Sequence, residues 1–148
     1  MQVFSEESTP YTTFNDKEWG IKLEIPYDPQ WGTESYRIEP YHHYEDVIFF
    51  GPLQGYEGGG YCRSYVVKRL QKETPEKLTE RLRGIDAQLS TTIINNINII
   101  KSTTFGFCED TSWYVIGKKY NYLLGSFCQD SENKIQEELV KSIEFISS

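Results

Sequence analysis

The feature that most constrains this chain is a repeated two-residue alternation of apolar and polar side chains. In the stretch 19–26, apolar and charged residues alternate in the order Ile21, Lys22, Leu23, Glu24, Ile25. That is the period of a strand with one buried face. The stretch 61–70 alternates in the same way, and shorter strand-like runs lie at 35–39, 47–53, 93–107, 113–116 and 120–127. The alternation predicts a mostly antiparallel sheet of about six strands.

Two stretches have the period of an amphipathic helix instead. The first opens with Thr74-Pro75-Glu76, which supplies an N-cap hydroxyl, a proline at the first helical position and a carboxylate at the positive end of the dipole. Spacings of four, three and four then predict one buried stripe, made of Leu78, Leu82, Ile85 and Leu89. The second helix is expected from Asp130-Ser131 to about Ser142, with the apolar end 143–146 docked on the protein. The fold class predicted from the residues is therefore α+β with two main helices.

The length of 148 residues fits one domain with one core. No polar linker divides the chain, so residues 1–148 are expected to form a single domain, with 1–13 as a loose N-terminal segment. No apolar run approaches the roughly 18 residues that cross a bilayer, which predicts a soluble chain with no transmembrane segment. Whether Met1 replaces a removed leader is left open by the residues alone.

The charge balance limits the classes of partner. Twenty-two acidic residues against 15 basic ones give a net charge of −7. Such a surface repels phosphate backbones and anionic lipid head groups, so nucleic acid is not an expected partner. The same charge favours solubility, and it is also compatible with a cationic partner protein.

Three cysteines, Cys62, Cys108 and Cys128, are too few for a disulfide scaffold and lack paired metal-ligand spacing. A hairpin with the three-residue loop 117–119 would place Ile116 opposite Tyr120 and bring Cys108 opposite Cys128, which allows a bridge. A two-residue loop would instead turn the two thiols to different faces. A bridge with Cys62 left over and a reduced trio are both open interpretations.

The densest polar cluster is Tyr41-His42-His43-Tyr44-Glu45-Asp46, which holds both histidines of the chain. Neighbouring histidines on a strand point to opposite faces and do not share one ion, so a solvated turn is the preferred interpretation. A metal site made of His42 or His43 with Glu45 or Asp46 is the alternative.

No catalytic constellation can be nominated. Nucleophilic catalysis needs an oriented base, and the only histidines are the adjacent pair, while acidic neighbours such as Glu109-Asp110 point apart. The glycine-rich stretch 55–60 lacks the lysine and hydroxyl of a phosphate-binding loop. The sequence therefore predicts a protein that is not an enzyme and needs no cofactor.

Tyrosine is the remaining unusual feature of the composition. Eleven are present, and six of those in the first half of the chain lie near proline and glycine loops: Tyr27, Tyr36, Tyr41, Tyr44, Tyr56 and Tyr61. Tyrosine offers large contact area at low entropic cost in recognition surfaces, although half-buried sheet positions account for many such rings. The candidate binding residues are therefore Tyr41, His42, His43, Tyr44, Tyr56 and Glu57.

Three fragments carry a resemblance to a known family. They are 19–26 (Trp-Gly-Ile-Lys-Leu-Glu-Ile-Pro) followed by Trp31, then 120–124 (Tyr-Asn-Tyr-Leu-Leu), and finally 142–146 (Ser-Ile-Glu-Phe-Ile). Together with the order of predicted elements, they resemble the PsbP-like family, which includes an extrinsic photosystem II subunit and a Ran-binding relative. The resemblance implies an α/β/α sandwich that binds proteins without enzymatic activity, in domains that are often secreted or lipid-anchored.

Three functional hypotheses follow from the sequence. The first is a non-catalytic protein-binding or accessory domain, with an extracytoplasmic location slightly favoured by the resemblance. The second is a cytosolic acidic immunity protein or secretion chaperone whose net charge of −7 complements a basic partner. The third is a small-ligand or metal-binding domain that uses His42 or His43.

Overall fold

The structure is a computed structural model that describes residues 10–33, 35–55, 61–85, 88–105, 109–126 and 134–146. These residues form ten strands and two helices. In chain order they are β1 (Tyr11–Asp16), β2 (Ile21–Pro26), β3 (Tyr41–Tyr44), β4 (Val47–Gly55), β5 (Tyr61–Leu70), α1 (Pro75–Arg83), β6 (Gln88–Ile94), β7 (Ile97–Phe105), β8 (Glu109–Ile116), β9 (Asn121–Ser126), α2 (Lys134–Ser142) and β10 (Glu144–Phe145).

The strands form two antiparallel sheets. The large sheet has seven strands in the order β3-β4-β5-β9-β8-β7-β6, and the small sheet has three in the order β1-β2-β10. All strand pairs within both sheets are antiparallel. The predicted α+β fold with a mostly antiparallel sheet and two helices is confirmed, whereas the expected number of about six strands is wrong.

The expected strand count is too low because it omits β1, β3 and β10 and does not separate β6 from β7. The run 93–107 is divided by a two-residue turn in which Asn95 and Asn96 have φ of 50° and 64°. Asparagine tolerates this left-handed conformation, which suits a tight hairpin. Residues 11–13 belong to β1 rather than to a loose segment, while 1–9 lie outside the described residues. The strand expected at 35–39 has no regular structure in the residues described there.

Helix α1 begins where its capping signal predicts. The Thr74 hydroxyl accepts a hydrogen bond from the Lys77 amide at 3.2 Å. Leu78 and Leu82 are buried as expected, but the predicted stripe does not continue, because the helix ends at Arg83. Ile85 is exposed and Leu89 belongs to β6, from which it packs back against the helix.

The C-terminal elements fasten the small sheet to the rest of the protein. Helix α2 buries Leu139 and Val140, and the Ser142 hydroxyl accepts a hydrogen bond from the Glu24 amide of β2 at 3.0 Å. Ile143 is buried, and β10 pairs with Lys22 and Ile21 of β2. The expected docked apolar end is therefore confirmed, whereas the cap residues 130–131 lie outside the described residues.

Two groups of buried side chains cover opposite faces of the large sheet. The small sheet and α2 pack on the face that includes Phe50, Val67 and Leu124. Helix α1 packs on the other face, over Ile100 of β7 with Tyr114 and Ile116 of β8 at its side. Because side chains alternate along a strand, neighbouring residues such as Ile99 and Ile100 serve different sides of the sheet.

Candidate functional site

The candidate residues 41–46 lie in the hairpin formed by β3 and β4. Tyr41 pairs with Phe50 and Tyr44 pairs with Val47, and only Glu45 and Asp46 make the turn. Glu45 has a φ of 52°, as a two-residue hairpin turn requires. The preferred interpretation as a solvated turn is correct for Glu45 and Asp46, and residues 42–46 are exposed, but Tyr41–Tyr44 form an edge strand rather than part of the turn.

Tyr41 and His43 lie on the face of the large sheet that meets the small sheet, where Tyr41 is half-buried and His43 is exposed. The ring of Phe14 packs edge-on against both, with centroid distances of 5.8 Å to Tyr41 and 5.4 Å to His43. His43 also packs edge-on against Trp19 at 5.3 Å, and its Nε2 lies 3.1 Å from the Glu45 carbonyl oxygen. Strand alternation turns His42 and Tyr44 to the opposite face, so the two histidines do not share a site.

Trp19 is the centre of this aromatic group and is only 2% exposed. Its amide donates a hydrogen bond to Asp16 Oδ1 at 3.0 Å, which fixes the turn between β1 and β2. Its ring stacks on Tyr122 with centroids 6.3 Å apart, and the Tyr122 hydroxyl donates a hydrogen bond to the Trp19 carbonyl. We call Phe14, Trp19, Tyr41, His43 and Tyr122 the Trp19 cluster. It joins the small sheet to the large one.

Arg69 lies over the outer side of the Trp19 cluster, between the Trp19 ring and solvent. Its guanidinium lies 5.4 Å from the Trp19 ring centroid and 4.8 Å from that of Tyr120, and its Nε donates to Asp46 Oδ1 at 2.8 Å. Burial acts to lower the pKa of Arg69, but the hydrogen bond and charge of Asp46 outweigh it, so the pKa is raised. A cavity of about 370 Å³ opens beside this pair. Because Asp46 already neutralises the arginine, the arrangement anchors the β3–β4 turn rather than offering a free charge to a ligand.

Alkaline pH tests the burial of Tyr122. Burial, only partly offset by Arg69, raises the pKa of Tyr122 from an ordinary 10.0 to about 12. Below pH 10 the hydroxyl is protonated in both states, whereas between pH 10 and 12 only the unfolded chain ionises. We expect the free energy of unfolding to fall over this window by about 2 kcal/mol on account of this group. Urea titrations at pH 9 and at steps up to pH 12 measure it.

The variant Tyr122→Phe is the control for that titration. It lacks the ionisable group but still responds to every other group that titrates above pH 9. Its unfolding free energy is expected to fall less steeply with pH than that of the wild type, from a lower starting value because the Trp19 carbonyl loses its donor. Identical slopes for the two proteins would contradict the burial of an un-ionised Tyr122.

The metal hypothesis gains no support from the part of the chain that is described. Within those residues, no three histidine, cysteine or acidic side chains come close enough to hold an ion. Asp46 is bonded to Arg69, and His43 is packed among aromatic rings. A site made by His42 or His43 stays an untested alternative, and calorimetric titration with zinc decides it.

The other tyrosines do not gather at one place. Tyr27 is half-buried and donates a hydrogen bond to the Ile38 carbonyl at 3.2 Å, whereas Tyr36 and Tyr44 are exposed. The candidates Tyr56 and Glu57 lie outside the described residues, as does the side chain of Tyr61. Of the predicted binding residues, the structure therefore places Tyr41 and His43 in the Trp19 cluster, and His42 and Tyr44 on the other face.

The register of the β8–β9 hairpin differs from the expected one. Ile116 pairs with Asn121 instead of Tyr120, so the turn has four residues rather than three. The register argument that set Cys108 opposite Cys128 is therefore wrong. Both cysteines lie outside the described residues, and their bridge stays a prediction without that support. Cys62 is a free, half-buried thiol.

A second surface, which the sequence analysis missed, lies on the face that α1 covers only in part. Helix α1 packs over β6, β7 and the adjoining part of β8. Cross-strand pairing places the outward residues of the other strands side by side, with Val47 opposite Lys68, Lys68 opposite Leu123, and Phe49 opposite Val66. With Tyr44 we call these the open sheet face: Tyr44, Val47, Phe49, Val66, Lys68 and Leu123.

The open sheet face is mostly apolar and accessible. Val47, Phe49, Val66 and Leu123 are each only half-buried, and Tyr44 is 62% exposed. Gly125 contributes to its flatness, because a Cβ there would come within 3.0 Å of Val66. The signal that could have revealed this surface is the presence of apolar residues at both alternating positions of the run 47–50. Such a run indicates a strand with two apolar faces.

Among the described residues, no helix combines the length and apolar character needed to cross a membrane. Comparison of the chain with models of protein families and with curated proteins gave no match. Comparison with solved structures likewise gave none.

Proposed function

We propose that this chain is a non-catalytic protein-binding or accessory domain and that its partner binds at the open sheet face. The observation that carries the proposal is the half-exposed apolar row on a sheet whose adjoining half is covered by α1. Contiguous apolar patches of this kind mark interaction sites in soluble proteins. The aromatic ring of Tyr44 at the edge of the face is a typical anchor for such contacts.

The shape and charge of the face favour an amphipathic helix as the partner's contribution. Such a helix would lie beside α1 and extend the same helical layer over β4, β5 and β9. Its apolar stripe would cover Phe49, Val66 and Leu123, while an acidic residue would pair with Lys68, the exposed charge in the row. Helix-on-sheet packing of this kind already exists in the chain, where Leu78 and Leu82 cover Ile100.

The family proposal is that the chain is PsbP-like. It is supported by the coarse element order, in which strands precede α1 and further strands precede α2, and by α1 on one face of the large sheet with the small sheet and α2 on the other. An accessory role outside the cytoplasm is part of this proposal and rests on the resemblance alone. Mass spectrometry under non-reducing conditions tests the location, because three free thiols would count against it.

A second candidate function, the acidic partner of a basic protein, has one observation in its favour. A groove of about 580 Å³ between the β1–β2 hairpin and α2 is lined by Glu24 and Glu138 together with Tyr11, Lys141 and Ser142. The groove carries more acidic than basic side chains and fits a basic segment. Charge reversal by Glu138→Lys would abolish binding to such a partner and leave binding at the open sheet face unchanged.

The main proposal is tested by comparing variants in affinity capture from extracts of the cells that make the protein. Tyr44→Glu and Lys68→Glu alter exposed side chains of the open sheet face and are expected to lower recovery of the partner about tenfold. Phe105→Glu is the matched control, since Phe105 is 63% exposed and lies on another part of the sheet. Equal recovery by all four proteins would refute this face as the binding surface.

A further inference from the structure

The two edge strands of the large sheet differ in how they are protected from pairing. β3 has only four residues, two of them histidines, and is followed by Glu45 and Asp46. β6 has seven residues, Gln-Leu-Ser-Thr-Thr-Ile-Ile, without a charge or a proline, and it pairs with β7 without a bulge. Natural edge strands usually carry such protective features, because a free edge presents main-chain donors and acceptors to any strand that pairs with it.

No described strand pairs with the outer edge of β6, and this edge is self-complementary about Thr91. A two-fold axis perpendicular to the sheet at this residue would place each Leu89 opposite Ile93 of the second copy. Ile93 is 66% exposed in the single chain, which is unusual for a branched aliphatic residue in a strand. Pairing would bury it on the side of the sheet where α1 lies.

Helix α1 adds charge complementarity to the same arrangement. A groove of about 520 Å³ runs between α1 and β6–β7 and is lined by Thr79, Ile93 and Ile100. A neighbouring depression on α1, which shares Pro75 and Thr79 with this groove, is lined by Glu76 and Arg83. Neither of these two charges forms an ion pair with another described residue. Leu78 and Leu82, one turn apart, are both buried against the sheet, so α1 lies along it. A two-fold axis perpendicular to the sheet would make the two copies of α1 antiparallel and would place Glu76 of one on the same side as Arg83 of the other.

We infer that β6 is the contact of a symmetric dimer, in which two copies of this chain join their large sheets edge to edge through antiparallel β6 strands. The occupant of the free edge is a second copy rather than an unrelated strand, because the pairing of Leu89 with Ile93 and of Glu76 with Arg83 both follow from one two-fold axis. The absence of charge on β6 removes the local repulsion that a net charge of −7 would otherwise impose. This inference goes beyond the proposed partner binding and uses a different part of the sheet.

Sedimentation equilibrium over a range of concentrations tests the dimer. The wild-type mass is expected to rise from 17.3 kDa toward twice that value with concentration. Ile93→Lys places a charge on an exposed edge position and is expected to raise the dimer dissociation constant at least tenfold without unfolding the chain. Tyr36→Lys, at a position 53% exposed in a loop away from β6, is expected to leave the dissociation constant unchanged.

Charge reversal on α1 tests whether Glu76 of one copy pairs with Arg83 of the other in the dimer. The single variants Glu76→Arg and Arg83→Glu are expected to weaken the dimer about three- to tenfold each, and the double variant to restore it. A wild-type protein that stays monomeric at millimolar concentration would overturn the inference. So would equal effects of Ile93→Lys and Tyr36→Lys, or a double variant no better than the two singles.

Discussion

Replacing Trp19 with alanine is expected to lower the free energy of unfolding by about 4 kcal/mol, which is a large part of the stability of a domain of this size. The ring is 2% exposed and contacts Phe14, His43 and Tyr122, which come from three different strands. Its loss would leave a cavity where the small sheet meets the large one. The guanidinium of Arg69 would also lose one of the two rings over which it lies.

The matched control is Trp31→Ala, since Trp31 is half-exposed in the short 3₁₀ turn Pro29–Trp31. That substitution is expected to cost about 1 kcal/mol. Urea titration with fluorescence and circular dichroism together measures both values, and the Trp19→Ala midpoint is expected to fall by roughly 10 °C in a thermal scan. Equal losses for the two tryptophans would show that the Trp19 cluster does not join the sheets.

Gly51→Ala is expected to destabilise the protein by about 3 kcal/mol. Gly51 has a φ of 92°, which an alanine adopts only under strain, and an added Cβ would lie 2.5 Å from Cδ2 of Tyr65. The residue stands in the β-bulge where the pairing of β4 with β5 shifts between Phe50 and Leu53. Its carbonyl accepts a hydrogen bond from Arg63 Nε at 2.7 Å. A shift of the backbone would therefore also leave the Arg63 Nε–H without its acceptor.

Gly84→Ala provides the comparison for this prediction. Gly84 ends α1 with a φ of −69°, which any residue adopts, and the nearest atom to an added Cβ is the Arg81 carbonyl oxygen at 3.4 Å. Alanine there is expected to leave stability unchanged or to raise it by up to about 1 kcal/mol. Chemical denaturation of both variants measures the difference. A similar loss of stability at both glycines would mean that the positive φ of Gly51 in the bulge does not require a glycine.

Local signals in the sequence predicted the elements that depend on local chemistry. The alternation in 19–26 predicted β2, and Thr74 with Pro75 predicted the start of α1. The helical spacing of Leu89 after Ile85 wrongly placed it in the helix. Leu89 belongs to β6, but it packs on the side of the sheet that α1 covers, so it joins the same buried group as Leu78 and Leu82. The Asn95-Asn96 turn was overlooked although asparagine is a recognised signal for left-handed turn residues.

The sites were harder to predict because they are assembled from distant residues. The Trp19 cluster draws on residues from β1 to β9, and nothing near Trp19 in the sequence indicates that Tyr122 donates a hydrogen bond to its carbonyl. The open sheet face depends on the register of three strand pairs. A difference of one residue in a turn changes such a register, as the β8–β9 hairpin shows.

The position of β5 beside β9 has a consequence for how the chain folds. Tyr65 pairs with Ser126 and Leu70 with Asn121, whereas the other neighbouring strands of the large sheet are consecutive in the chain. The consecutive antiparallel strands β3–β4–β5 and β6–β7–β8–β9 are able to form as two separate units. Pairing β5 with β9 then closes a long loop of chain that includes α1. We therefore expect the seam between these two halves to limit the rate of folding and to be the first place where the sheet parts under stress.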